Sequence, residues 1–211
     1  MQTKDPPFPH NSTSDELPSL GIVGTALGYT SDRRPDEAVA TIRQAGSPED
    51  IALTRALFVE YARWLNVDLC FQGFDAELAS LPGAYAAPRG RLLLAGMPGA
   101  AFGCIALRPL EHGCASACAS SADAHIGEVK RLYVQPAHRG ARWGHRLAEA
   151  MIAEARAIGY RELKLDTLGW MAPARALYAD LGFRECAPYY DNPLPEVVYM
   201  SLQLSAGDSA R

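Results

Sequence analysis

Glycines and basic side chains come directly before an amphipathic helix pattern in the segment 134–152. The first N–H groups of a helix lack intrahelical partners and carry positive partial charge, so such a helix start can bind an anion. Gly140 and Gly144 allow the backbone to approach a phosphate closely, and Arg139 and Arg142 add positive charge beside it. The segment therefore predicts a phosphate or pyrophosphate site.

Two common nucleotide motifs are missing from the sequence. The phosphate loop of nucleotide hydrolases, GxxxxGK[ST], does not occur, and neither does the dinucleotide-binding pattern GxGxxG. A glycine-containing turn before a helix is also compatible with a turn that binds nothing. The anion site needs support from other parts of the chain.

Three linked motifs supply that support. RGARWG, at 139–144, resembles the acyl-CoA pyrophosphate loop Q/R-x-x-G-x-G/A of the Gcn5-related N-acetyltransferases (GNAT). EVKRLYV at 128–134 and ARALYADLGF at 174–183 resemble the strand before that loop and the helix after it, in the family's order and spacing. The resemblance covers roughly residues 38–204. It implies the family's α/β (α+β) fold, a mixed and mostly antiparallel sheet with a splayed central pair of strands, flanked by helices.

The resemblance also implies a donor and a reaction. A GNAT protein transfers the acetyl group of acetyl-CoA directly to a primary amine in a ternary complex, without a metal ion. By position, backbone groups of the strand would hold the pantetheine arm and the oxyanion, and the loop would hold the pyrophosphate. The implied cofactor-binding residues are Leu132, Tyr133, Val134, Arg139, Gly140, Ala141, Arg142, Trp143 and Gly144.

Two positions depart from the family pattern. Arg142 stands where the loop pattern has its first glycine, which is tolerated if this residue is helical rather than left-handed. Met171 stands where many members carry an asparagine, seven residues before the tyrosine of the helix motif. We expect backbone contacts to replace the lost side-chain contact to coenzyme A.

Two side chains are predicted to be catalytic. Glu128 lies at the offset where one branch of the family keeps its general base, and an attacking ammonium must lose a proton. The alternative is a strand-edge carboxylate paired with Lys130 or Arg131. Tyr178 matches the family's tyrosine near the coenzyme A sulfur and could protonate the departing thiolate, or could simply pack in the core.

The acceptor pocket in this fold is usually built from the first two helices and the loop before the last strand. Asp68 and Phe71 in the first region, and Tyr189 and Tyr190 in the second, suit a small organic amine or a peptide amine. The alternative is that aromatic residues at helical spacing, including Trp64 and Phe71, belong to the core.

The composition limits the class of protein. The chain has 211 residues, is 48% hydrophobic and carries a net charge of −4, so neither nucleic acid nor a polybasic membrane contact is expected. No apolar stretch is long enough for a membrane span and no secretory leader is evident, so a cytoplasmic location is predicted. Five scattered cysteines suggest free thiols, and the spacing of Cys114 and Cys118 disfavours structural zinc.

The patterned elements must position these residues. We expect a tail at 1–35, the acetyltransferase domain at 36–205 and a short tail at 206–211. An irregular connection is expected at 109–124. The predicted strands are 38–43, 85–88, 91–97, 102–107, 125–134, 162–168 and 197–204. Four helices are predicted: one capped by Ser47, one that includes 76–81, one over 147–158 and one that begins at Pro173.

Rival functions remain compatible with the sequence. The chain could be a non-catalytic acyl-CoA-binding or regulatory module, or it could transfer a longer acyl group or acylate a hydroxyl. Family members often pair through their last strands, so a homodimer is a further expectation.

Overall fold

A computed structural model of the chain describes residues 39–67, 69, 73–110 and 125–204. The strands are Thr41–Gln44 (β1), Arg91–Met97 (β2), Ala100–Pro109 (β3), Ile126–Val134 (β4), Glu162–Leu168 (β5), Arg184–Glu185 (β6) and Val197–Gln203 (β7). The helices are Pro48–Leu65 (α1), Phe74–Ser80 (α2), Trp143–Ile158 (α3) and Ala172–Asp180 (α4). Short 3-10 turns occupy Gly83–Tyr85 and Pro136–His138.

The seven strands form one mixed sheet in the order β1-β2-β3-β4-β5-β7-β6. The central pair β4–β5 is parallel, and the other neighbouring strands are antiparallel. A helix connects the two parallel strands, as a parallel crossover requires. This architecture confirms the predicted fold class.

Local sequence signals set the ends of the main helices. The Ser47 hydroxyl accepts a hydrogen bond from the Asp50 N–H at 3.0 Å, and the Asp50 carboxylate accepts one from the Ser47 N–H at 3.5 Å. This reciprocal cap, with Pro48 at the first helical position, fixes the start of α1 as predicted. Gly159, in the left-handed conformation, ends α3 as predicted.

The prediction for residues 85–88 is wrong. Tyr85 ends a 3-10 turn instead of starting a strand, and its buried ring packs edge-on against Phe58 with the ring centres 6.1 Å apart. Pro82 and Pro88 flank this turn and lack the N–H that a strand ladder needs. Smaller differences are a later start for β1 and an earlier start for α2. The predicted tails, and most of the 109–124 connection, lie outside the described residues.

The two faces of the central strands differ in character. Leu163 and Leu165 of β5 point into an apolar core against α3, where Leu147 and Met151 are fully buried. Lys164 and Asp166, which alternate with these leucines in β5, point to the opposite face, as strand alternation requires. Asp166 on that face accepts a hydrogen bond from Lys130 of β4. The sheet therefore has one apolar central face and one polar central face.

Strand β4 carries a β-bulge where it pairs with β3. Cys104 of β3 pairs with Tyr133 and Ala106 pairs with Lys130, so two residues of β4 face the single residue Ile105. One of the two, Arg131, adopts a left-handed backbone conformation with φ of 58°. Bulges bend a strand and increase its twist. The β4–β5 pairing accordingly ends at Glu128 with Lys164, and the strands part beyond it.

No helix in the described part of the chain combines the length and the apolar composition needed to cross a lipid bilayer.

Candidate active site

A cleft opens where β4 and β5 part. One wall is formed by β4 at 129–132 and the other by β5 at 166–168, and side chains from α1, α4 and the segment before β7 line the remainder. The lining residues are Tyr61, Leu65, Leu69, Val129, Lys130, Arg131, Leu132, Asp166, Thr167, Leu168, Met171, Ala174, Tyr178 and Leu194. The cleft is therefore lined by both apolar side chains and polar groups, and the polar groups can orient a ligand.

Tyr178, one of the two predicted catalytic residues, lines this cleft. Its ring is buried and packs against Phe183, with the ring centres 5.4 Å apart. Among the described residues, none forms a hydrogen bond with its hydroxyl. Burial raises the pKa of Tyr178, so the hydroxyl keeps its proton at neutral pH. Both proposed roles, packing and proton donation, are compatible with this placement.

The predicted anion loop follows the end of β4. Gly140 has φ of 88°, a conformation that glycine adopts without strain. Arg142 is the residue before α3 and makes no side-chain cap, so the first N–H groups of the helix are left without that partner. The indole of Trp143 is buried in the core, so this residue can offer a ligand its backbone N–H. The loop fits an anion.

Arg142 is left-handed rather than helical, so the condition under which the sequence would tolerate this departure is not met. Its φ is 61° and its ψ is 17°, which is the left-handed conformation that the family's glycine would adopt readily. The side chain is exposed. The chain therefore keeps the backbone shape of the loop although the residue type disfavours it.

This strain gives a testable prediction. A left-handed conformation costs a non-glycine residue about 1–2 kcal/mol, and glycine loses about 0.5–1 kcal/mol to extra unfolded-state entropy. Arg142→Gly should therefore raise the free energy of unfolding by about 0.5–1 kcal/mol, measured by urea denaturation. Arg142→Ala is the control, since alanine removes the charge and keeps the strain. Equal stability of the two variants would contradict the strain argument.

The remaining residues implied for the donor lie at the end of β4 and in the loop. Leu132 lines the cleft, and the Tyr133 hydroxyl donates to Glu60 Oε1 at 3.0 Å. Arg139 donates from Nε to the Val134 carbonyl at 2.9 Å, and its guanidinium lies 4.5 Å from the ring centre of Trp64. The Arg139 side chain therefore folds back toward the end of β4.

Glu128, the predicted general base, is held in a buried network. Its side chain is 3% exposed. Oε2 accepts from Arg108 Nε at 2.8 Å and Nη2 at 2.7 Å, while Oε1 accepts from the Tyr189 hydroxyl at 3.2 Å and lies 3.5 Å from Lys130 Nζ. Glu128 does not belong to the cleft lining described above. Its base role stays a prediction, and its contacts favour a structural role.

Among the described residues, Asp166 is the carboxylate that lines the cleft, and it was not among the residues predicted from the sequence. Its Oδ1 accepts a hydrogen bond from Lys130 Nζ at 3.1 Å, and its carboxylate also accepts one from the Tyr190 hydroxyl. The available signal was an acidic residue in the middle of the strand ELKLDTL, at 162–168, on the face opposite to Leu163 and Leu165. A carboxylate that faces a partly desolvated cleft can bind an ammonium and take its proton.

A buried ion pair supports the bulge. Arg131 donates from Nε and Nη2 to the two oxygens of Glu77, at 3.0 and 2.6 Å, and the Tyr85 hydroxyl donates to Glu77 at 2.8 Å. Burial alone would raise the pKa of Glu77. The hydrogen bonds and charge of Arg131, helped by Tyr85, outweigh it and hold that pKa below its usual value. This pair ties α2 to β4.

The predicted acceptor residues divide into two groups. Tyr189 and Tyr190 lie in the segment before β7, and each packs edge-on against Tyr199, with ring centres 5.2 and 5.6 Å away. Tyr189 contacts Glu128, while Lys130 Nζ lies 5.9 Å from the Tyr190 ring centre. These two residues therefore belong to the polar face beside the cleft. Asp68 and Phe71 lie outside the described residues.

Metal ligands do not cluster in the part of the chain that the structure describes: no three His, Cys, Asp or Glu side chains there could hold an ion together. Cys114 and Cys118 lie outside this part. Cys104 is a buried free thiol of β3, and Cys186 is a half-buried free thiol.

Comparison with known proteins finds one family. The sequence model of the Acetyltransferase (GNAT) family matches residues 58–183. A protein of Schizosaccharomyces pombe, named an uncharacterized N-acetyltransferase, is 39% identical over 159 residues, which cover 75% of this chain and 91% of that protein. A Dictyostelium discoideum protein with a similar name is 29% identical over 74% of this chain and 95% of its own length.

A solved structure shares the fold. The YncA protein of Salmonella typhimurium, solved with its cofactor acetyl-CoA, superposes with a TM-score of 0.55 at 19% sequence identity. The match covers 82% of this chain and 98% of that one.

Proposed function

The chain belongs to the GNAT acetyltransferase family, and we propose that it transfers the acetyl group of acetyl-CoA directly to a primary amine within a ternary complex. The observation that carries this proposal is the cleft between the parted strands β4 and β5. Tyr178 and Asp166 line this cleft, and the anion loop follows one of its walls. The names of the relatives agree with transfer to nitrogen.

The residues present fit the implied donor. The uncapped start of α3 and the left-handed turn at 140–142 present backbone N–H groups to a pyrophosphate. Arg142 and Arg146 add positive charge within the same turn. Leu132, Met171 and Ala174 give an apolar channel for the pantetheine arm. Acetyl-CoA supplies the activated acetyl group as a thioester.

The chain's own groups would then move two protons. Asp166 accepts a proton from the acceptor ammonium, so that the amine nitrogen can attack the thioester carbonyl carbon. Backbone donors at Leu132, Tyr133 and Val134 hold the oxyanion. The carbon–sulfur bond breaks, Tyr178 donates its proton to the departing thiolate, and the second proton that the attacking nitrogen must lose passes to the Tyr178 oxygen and restores the hydroxyl. An amide and free coenzyme A are the products.

Removal of the Tyr178 hydroxyl tests its role. Tyr178→Phe should lower kcat about 100-fold, the low end of the usual contribution of a general acid, because a thiolate can also leave without a proton. The free energy of unfolding should stay within about 0.5 kcal/mol, because the hydroxyl has no partner among the described residues. The measurement compares kcat with the thermal shift caused by coenzyme A. An unchanged kcat would leave Tyr178 with a packing role.

A thiol-release assay tests the proposed function. Acetyl-CoA is mixed with the protein and a panel of primary amines, and free coenzyme A is measured while a thermal-shift titration reports its binding. We expect release with at least one amine. A thermal shift without release from any amine would favour the non-catalytic module, and release with alcohols or longer acyl donors alone would replace the proposed substrates.

The cytoplasmic location and the homodimer remain predictions made from the sequence. The edge strand β6 pairs with β7 through Arg184 and Glu185 alone among the described residues, so part of the β7 edge lies beyond that pairing. A homodimer that pairs through this edge would appear as a doubled mass in sedimentation analysis.

A further inference from the structure

The polar side of the cleft holds an ammonium and a carboxylate in contact. Lys130 Nζ and Asp166 Oδ1 are 3.1 Å apart, and their side chains are 7% and 14% exposed. Both residues line the cleft. Arg131 also lines the cleft, but its guanidinium already donates two hydrogen bonds to Glu77. Of the cations that line the cleft in the described part of the chain, Lys130 is therefore the one with capacity for a ligand.

The hydrogen bonds of Lys130 leave donors available. An ammonium has three N–H donors, and the described residues accept one hydrogen bond from it, at Asp166. Glu128 Oε1 lies 3.5 Å away, but that carboxylate already accepts two hydrogen bonds from Arg108. Arg108 thus balances Glu128, and the charge of Lys130 is balanced mainly by Asp166.

This charge arrangement constrains the acceptor. If Asp166 binds an ammonium and takes its proton, the buried charge of Lys130 loses its partner, which is unfavourable in a poorly solvated site. A carboxylate on the acceptor would restore the balance and use the remaining donors of Lys130. A plain alkyl amine would add a positive charge beside Lys130 without compensation.

On these grounds, and resting on the proposed function, we propose that the acceptor is a zwitterion with a carboxylate next to its amine, as in a free amino acid. Lys130 binds the carboxylate, and Asp166 binds the amine and takes its proton. Leu65, Leu69 and Leu194 line the same cleft, so the rest of the acceptor is apolar. A peptide amine without a neighbouring carboxylate is a poor acceptor.

Matched pairs of acceptors test this inference. L-phenylalanine is compared with 2-phenylethylamine, and L-leucine with 3-methylbutylamine, so that each pair differs by the carboxylate. We expect kcat/KM to be about 100-fold higher for the amino acid of each pair. Equal rates, or a preference for the plain amines, would overturn the inference and leave the proposed function intact. No acetylation of any amine by protein that binds coenzyme A would overturn both.

Variants of two lysines test whether Lys130 causes the preference for amino acids over plain amines. Lys130→Met should lower kcat/KM for the amino acids about 100-fold. The readout is the ratio of kcat/KM between the amino acid and the plain amine of each pair, which should fall to about 1, because Lys130 also contacts Asp166 and its loss can change the rate of both acceptors. Lys164→Met is the matched control, because Lys164 lies on the same face of the neighbouring strand but does not belong to the cleft lining. It should keep the preference. Loss of the preference in the Lys164 variant alone would overturn the assignment to Lys130.

The coenzyme A thermal shift shows whether each variant is folded. If Lys130→Met does not fold, Lys130→Arg serves in its place, since arginine keeps the charge with a different geometry. It should retain a preference for amino acids at a reduced rate. A preference for plain amines in this variant would contradict the role of the charge at position 130.

Discussion

Replacement of Asp166 by asparagine is expected to lower kcat about 10²- to 10⁴-fold, the usual contribution of a general base. Asparagine keeps the size of the side chain and can still accept a hydrogen bond from Lys130, so the shape of the cleft is preserved. It cannot take a proton from the acceptor ammonium. Steady-state kinetics at saturating acetyl-CoA, with the coenzyme A thermal shift measured alongside, would show the loss in a protein that still binds its donor.

Glu128→Gln is the matched control for this experiment. Glu128 lies two residues from Lys130 on the same face of β4, yet its oxygens are occupied by Arg108 and Tyr189. We expect this variant to lose stability and to change kcat less than Asp166→Asn does. The reverse order, a large loss in Glu128→Gln with little change in Asp166→Asn, would return the base role to Glu128.

Replacement of Glu77 by glutamine is expected to lower the free energy of unfolding by about 3–5 kcal/mol, because it leaves the charge of a buried partner uncompensated. The Arg131 side chain is 3% exposed and donates two hydrogen bonds to Glu77. Its left-handed backbone also depends on its surroundings to hold it. Urea denaturation monitored by circular dichroism measures the change.

A surface ion pair provides the contrast. Arg175 and Glu185 are 3.0 Å apart, with side chains 39% and 64% exposed. Glu185→Gln should change the free energy of unfolding by less than about 1 kcal/mol, as exposed pairs contribute little. If Glu77→Gln were as mild as Glu185→Gln, the buried pair would not support the bulge as described.

The buried pair of Glu77 and Arg131 predicts that the free energy of unfolding depends on pH. The pKa of Glu77 is lower in the folded protein than in the unfolded chain, where a glutamate has a pKa of about 4.3. Its contribution is therefore fully present above that value and is lost as the pH falls through the folded pKa. The stability difference between the wild type and Glu77→Gln should shrink below about pH 4. A difference that stays constant down to pH 3 would contradict the lowered pKa.

The sequence predicted the elements whose signals are local. The Ser47 cap, the alternation in β5 and the glycine after α3 each depend on a few neighbouring residues, and the structure confirms all three. The turn at Tyr85 was missed because its four apolar-rich residues resemble a short strand, and the flanking prolines decide against one.

The contacts in the cleft could not be predicted in the same way. Lys130 and Asp166 are 36 residues apart, and Glu128 meets Arg108 and Tyr189 across 20 and 61 residues. These partners depend on the strand register and on the bulge at Arg131, which changes where β4 side chains point. A single sequence therefore identified Glu128 by its offset and did not reveal that other residues occupy its oxygens.

The most direct test of the account is to measure both products in one quenched reaction. The wild-type protein is mixed with acetyl-CoA and L-phenylalanine, and free coenzyme A and N-acetylphenylalanine are quantified together by mass spectrometry. We predict equal amounts of the two products, both formed at least about 100-fold more slowly by Asp166→Asn. Coenzyme A released with free acetate and no amide, for every amine tested, would contradict the proposed transfer to an amine.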